Sequence, residues 1–107
     1  LTLSNSSYGI DRKEISDQLF LIGSIKESKE TNEEKIRKLN ELENKIDIEL
    51  ANHPNDAELF YFKGFTVLMY IYTIQTPLTS EGLGKVKSIK SRAHSWLMKA
   101  VENNSDN

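Results

Sequence analysis

The chain has no cysteine in 107 residues, which excludes disulfides and thiolate metal sites but does not choose a compartment. Only two prolines, Pro54 and Pro77, and five glycines interrupt it. The β-branched alternation that marks strands is nearly missing, so the spacing that dominates is helical. An excess of either charge is missing too: 14 Lys and Arg stand against 16 Asp and Glu, a net charge of −2, without the basic excess of a general nucleic-acid binder. Hydrophobic residues make up 37%, a low share that still allows one modest core in a single domain. The longest apolar run, 59–74, is sixteen residues and contains Lys63. A membrane span needs about twenty, and no basic flank or second run accompanies it, so the expectation is a chain that does not cross a bilayer.

Catalytic signatures are also missing. His53 and His94 have no partner histidine at helical spacing, and there is no His-Glu-x-x-His. Gly82-Leu83-Gly84-Lys85 hints at a phosphate loop, but Thr79 stands where its first glycine belongs and Val86 where Ser or Thr should follow the lysine. It reads as a flexible helix start. No Gly-x-Ser-x-Gly occurs. No convergent set of acid, base and nucleophile assembles, so the chain reads as a non-enzyme with no catalytic residue, cofactor or metal.

What is present is a series of helix starts. Asp11 with Glu14 has capping-box spacing, and Ile10 with Ile15 can close a hydrophobic staple. That helix continues through Leu19, Phe20, Ile22 and Ile25 and fades near Ser28. Thr31 with Glu34 is a second box, followed by Ile36, Leu39, Leu42, Ile46 and Leu50 at three- and four-residue intervals. Glu34/Lys38 and Glu41/Lys45 stand at supporting i, i+4 spacing on its other face. Pro54 ends it. A third helix starts at Asn55 or Asp56, with Glu58 completing a box if Asn55 is the cap, and runs to about Gln75 before Pro77. The fourth begins between Ser80 and Lys85, with the stripe Val86, Ile89, Ala93, Trp96, Leu97, Ala100 and Val101. Short connections favour antiparallel neighbours. The expected organisation is a loosely ordered 1–9, one all-α domain over 10–103, and a frayed 104–107. The opening LTLSNSS lacks methionine and reads as a processed chain or a piece of a longer one.

The run Pro54-Asn55-Asp56-Ala57-Glu58-Leu59-Phe60-Tyr61-Phe62-Lys63-Gly64 resembles the opening of a tetratricopeptide repeat (TPR). Pro54, Ala57, Phe60 and Gly64 match its pattern; Lys63 replaces the usual leucine and Val67 the usual tyrosine. Ala93, Leu97 and Ala100 resemble its second half. The spacing departs: 29 residues separate Gly64 from Ala93, where the family has about a dozen. A fainter echo, Asp17-Gln18-Leu19-Phe20 with Gly23, precedes the run. The resemblance implies four antiparallel helices in two elongated TPR-like hairpins; the alternative is a plain four-helix bundle in which Gly64 and the alanines only ease packing.

A helix apolar around its circumference is normally central. One stripe of the third helix is Phe60, Gly64, Val67, Ile71 and Ile74; Leu59, Phe62, Thr66, Tyr70 and Thr73 flank it. The third side is Tyr61, Phe65, Leu68, Met69 and Tyr72. In TPR proteins the first helix of a hairpin lines a groove that holds partner peptides. The resemblance therefore implies a partner-binding surface at Glu58, Tyr61, Phe65, Leu68 and Met69, continued by Tyr72. The competing expectation is that helix one folds over this side and makes it core. Residues 85–99 carry Lys85, Lys87, Lys90, Arg92 and Lys99 and no acid. Such a stripe suits an acidic partner or an anionic surface, or simply flanks a packed helix.

The leading expectation is a non-enzymatic protein-interaction or adaptor module binding another protein or peptide through the third helix. One alternative is a small inhibitory or immunity-type helical protein acting through its charged faces, the acidic second helix above all. A second is a membrane-active helical protein. The sequence fits a soluble chain, cytoplasmic or exported after signal removal, without nucleic acid or membrane as partner, and a homodimer is compatible with it.

Overall fold

The computed structural model describes residues 12–24 and 29–104. Among them the chain is all-α: α1 spans Arg12–Gly23, α2 Asn32–Asn52, α3 Ala57–Met69 and α4 Ser80–Glu102, with a 3-10 turn at Tyr70–Thr73 and no strand. The cap at Asp11, the Ile10 staple and the end of the first helix near Ser28 lie outside the described residues.

Local chemistry sets the helix starts. Thr31 Oγ1 accepts the Glu34 N–H at 3.1 Å, satisfying one of the donors left over at the start of α2. Asp56, not Asn55, caps α3 and accepts the Leu59 N–H at 3.2 Å. Glu58 therefore closes no box with Asn55. Thr79 caps α4 through the Gly82 N–H at 2.9 Å, so this helix has a defined start. Gly82 is packed rather than flexible: a Cβ there would lie 1.9 Å from the Thr76 carbonyl oxygen. The third helix is shorter than its apolar pattern. It tightens into the 3-10 turn after Met69, and Ile74 is already extended.

The apolar helix α3 is central. On one side Leu59, Phe62 and Met69 join Ile15 and Leu19 of α1 and Leu39, Leu42 and Ile46 of α2 in one buried cluster. Each large side chain so covered contributes about 1.5–3 kcal/mol. On the other side Phe60 stacks on Trp96 of α4, with centroids 6.0 Å apart. Gly64 admits α4 closely, since a Cβ there would sit 2.7 Å from Leu97 Cγ and 3.2 Å from the Ala93 carbonyl oxygen. Val67 continues this stripe and is fully buried. Thr66, also buried, donates its hydroxyl to the Phe62 carbonyl at 2.7 Å and so stays satisfied.

Charge pairs on α2 differ from simple i, i+4 arithmetic. Arg37 takes Glu34 at 3.1 Å and Glu41 at 2.8 Å, and Lys38 turns to Glu30. The bidentate reach of guanidinium favours this choice over lysine.

Candidate docking groove

Helices α1 and α2 cover the Leu59, Phe62 and Met69 side of α3, and α4 covers the Phe60 and Gly64 side. What stays open centres on Tyr61, which is 51% exposed. Its ring lies parallel to that of Phe65, with centroids 6.3 Å apart. Across from them, α1 presents Phe20, 82% exposed, and Leu21, 65% exposed. Leu19, Phe20, Leu21, Tyr61, Phe62 and Phe65 line a groove of about 550 Å³ between α1 and α3. Tyr61 is also the ridge of a second, neighbouring groove of about 450 Å³, which runs between the start of α3 and Leu97, Ala100 and Val101 of α4.

Arg12 fixes one end of this arrangement. Its guanidinium donates to Asp56 at 2.7 Å and to Glu58 at 2.8 Å, pinning the first turn of α1 onto the first turn of α3. Glu58 thus lines the neighbouring α3–α4 groove, with its carboxylate already held. Acidic groups in that first turn also complement the helix dipole.

The residues expected to bind a partner separate in space. Tyr61 and Phe65 line the groove together. Glu58 lines the second groove, between α3 and α4. Met69 is 6% exposed and belongs to the buried cluster that residues of α1 and α2 share, so the expectation for this residue is corrected: it is core. Leu68 is half-buried and Tyr72 is 38% exposed; neither lines the groove. The sequence pattern puts Phe20 in the apolar series of the first helix and assigns neither Phe20 nor Leu21 to a binding surface. The signal was there: Leu19-Phe20-Leu21-Ile22 is an unbroken apolar run, and a helix cannot turn four consecutive side chains to one core. The echo between Leu19-Phe20 and Leu59-Phe60 also parts here. Both leucines enter the core, but Phe60 is 7% exposed and Phe20 faces solvent.

A further cleft, about 720 Å³, lies between α2, the 3-10 turn and α4. Its floor is Glu43, which Lys63 approaches to 2.8 Å and Arg92 to 3.7 Å, while the Tyr70 hydroxyl donates to it at 2.8 Å. Burial alone would push this carboxyl up. The bonds from Lys63 and Tyr70, with the charges of Lys63 and Arg92, outweigh burial and hold it below the usual carboxylate range. Burial and the Glu43 charge push the Tyr70 phenol up. The acid is thus engaged from three sides by the protein itself. Among the described residues no group of three or more His, Asp or Glu could hold a metal ion, and no helix is long and apolar enough to cross a membrane.

Comparison with protein-family models, with curated proteins and with solved structures returned no match to this chain.

Proposed function

We propose that this chain is a non-enzymatic protein-interaction module that receives an apolar-anchored segment of another protein in the groove between α1 and α3. The observation that carries the reading is the pairing of Phe20 and Leu21 with Tyr61 and Phe65 around one groove. Large apolar side chains left open together around one groove mark contact sites. Aromatic side chains that fill pockets supply most of an interface's affinity.

We also propose a TPR-like pairing for α3 and α4. Its support is spatial: Gly64, Ala93 and Leu97, the small and large positions of the resemblance, meet one another despite their long separation in sequence. The inhibitory reading through the acidic second helix draws less support. Glu34 and Glu41 hold Arg37, and Glu43 and Asp47 hold Lys63, which leaves less free charge on α2 for a partner.

The test is a selection of random displayed peptides on the wild-type chain, followed by their affinity for a Phe20→Ser/Tyr61→Ser variant. These positions are better suited than Phe65, which packs against the core. Selected peptides are expected to lose at least about tenfold in affinity, with the thermal midpoint held. Equal affinity for both proteins would remove the groove as the site.

A further inference from the structure

The outer face of α4 sets exposed cations between apolar side chains. Lys13, Arg37 and Lys38 each hold a carboxylate. Lys87 and Lys90 are exposed, and among the described residues no carboxylate lies in ion-pair range of either. Lys99 rests its ammonium over aromatic rings instead, 4.9 Å from the Trp96 centroid and 5.7 Å from that of Phe60. From Leu83 through Lys87, Lys90 and His94 to Met98 and Val101, the three- and four-residue steps keep one face. Its ends are apolar: Leu83 is 56% exposed, Met98 42% and Val101 69%. Leu83 and Val86, with the stems of Lys87 and Lys90, already form a shallow trough of about 390 Å³. The two apolar ends stand about 22 Å apart at 1.5 Å per residue.

We propose that this face is a second docking surface, for an acidic amphipathic helix of another protein: apolar side chains near each end of the guest meet Leu83 and Met98, and carboxylates between them meet Lys87 and Lys90. Charge complementarity chooses the sign of the guest, and the apolar–basic–apolar order along the face sets its pattern. A lipid surface fits less well. The large apolar residues Trp96 and Leu97 are turned to α3. What remains outside is interrupted by Lys87 and Lys90, which leaves no continuous apolar face to embed. A second copy also fits poorly, because Glu34, Glu41, Glu43 and Asp47 of α2 are engaged within their own chain.

The test uses the full chain and a labelled synthetic helical peptide of about 18 residues, with leucines near both ends and glutamates on the same face between them. A control peptide carries glutamine in place of glutamate. By fluorescence anisotropy the acidic peptide is expected to bind at least about tenfold more tightly than its control, and to weaken by about tenfold between roughly 50 and 200 mM NaCl. Lys87→Glu/Lys90→Glu is expected to abolish binding with an unchanged thermal midpoint; Lys87→Ala/Lys90→Ala, which adds no repulsion, is expected to reduce it. Phe20→Ser/Tyr61→Ser leaves it intact, which separates this surface from the α1–α3 groove. Absence of binding, equal affinity for the glutamine peptide, or survival of binding in both lysine variants would overturn the proposal. So would lysine-dependent sedimentation with phosphatidylcholine–phosphatidylserine vesicles that exceeds peptide binding, or lysine-dependent self-association of the chain in sedimentation velocity.

Discussion

Lys63 Nζ lies 2.8 Å from Glu43 Oε2 in the interior of the protein, with Lys63 itself 5% exposed. The same ammonium reaches Asp47 at 2.7 Å, one turn along α2, and lies 5.4 Å from the Trp96 ring centroid. The one lysine of α3 thus ties the side of the helix that carries it to α2. Coulombic attraction in such a pair roughly offsets the cost of taking both ions out of water. Its value lies in orientation: with Tyr70 and Arg92 also on Glu43, a single carboxylate ties α2 to α3, the 3-10 turn and α4.

Removing one member strands the other. Lys63→Ala is expected to cost about 3 kcal/mol or more in urea denaturation, because Glu43 keeps its charge and loses its main partner. Lys63→Met/Glu43→Leu should recover most of that loss, since volume is kept and no buried charge remains. The Glu43 value is lowered by folding, so its contribution is fully present above the unfolded carboxylate range. It fades as pH falls through the lowered folded value. Glu43→Gln should flatten this acid limb of the stability curve. An unchanged limb would show that Glu43 does not drive it.

Glu49 carries the opposite sign. It is 1% exposed, and its Oε2 has no hydrogen-bond partner. Burial pushes this carboxyl up, with only partial relief from the His53 and Arg12 charges. Folding therefore favours the protonated form. The stabilisation is complete below the unfolded carboxylate value and is lost as pH rises through the folded one. Glu49→Gln should stabilise the protein by about 1 kcal/mol near neutral pH. The gain should shrink as pH falls, measured as paired urea curves near pH 7 and pH 4.5. A gain independent of pH would assign the effect to packing.

The helices and the cap at Thr31 were legible because they rest on contacts within a few residues, whereas the start of α3 stayed open between Asn55 and Asp56 until the structure chose Asp56. The central position of α3 was legible too, since a helix apolar on all sides has to be enclosed. The partners of single side chains were not. Lys63 reads locally as a lone lysine inside an apolar run, and its acids come from another helix. Met69 and Tyr61 share one apolar side in the sequence pattern. Only the placement of α1 and α2 decides that Met69 closes and Tyr61 stays open. The early end of α3 was hidden because the apolar pattern runs on into the 3-10 turn, where tighter winding replaces the α-helical ladder.

Three glycines should respond in three ways to alanine. Gly84→Ala meets nothing within 4 Å and should stabilise α4 by about 0.5–1 kcal/mol. Gly64→Ala places a Cβ 2.7 Å from Leu97 Cγ; that side chain can shift, at about 1–3 kcal/mol. Gly82→Ala meets the Thr76 carbonyl oxygen at 1.9 Å, a backbone atom that cannot rotate away, so its loss should be the largest. The order Gly82, Gly64, Gly84 in thermal midpoints, lowest first, is the measurement. A neutral Gly82→Ala would mean that the 74–79 connection lifts off α4 freely.

The wall of the proposed groove depends on a contact outside it. Arg12 reaches Asp56 and Glu58 from the first turn of α1, and Phe20 and Leu21 stand two turns further along the same helix. Arg12→Ala removes charge-assisted bonds that are partly screened by water, a loss of about 1–3 kcal/mol, but leaves Asp56 free to keep capping α3. The loss should therefore be local. Hydrogen exchange over residues 13–21 should quicken well before exchange in α2 and α3 changes, because among the described residues α1 places only Ile15 and Leu19 in the core. A peptide selected on the groove should then weaken several-fold through a residue that it never touches, since its α1 wall is populated less of the time. If α1 keeps its protection in Arg12→Ala, its apolar packing at Ile15 and Leu19 is sufficient by itself and the ion pairs contribute only solubility.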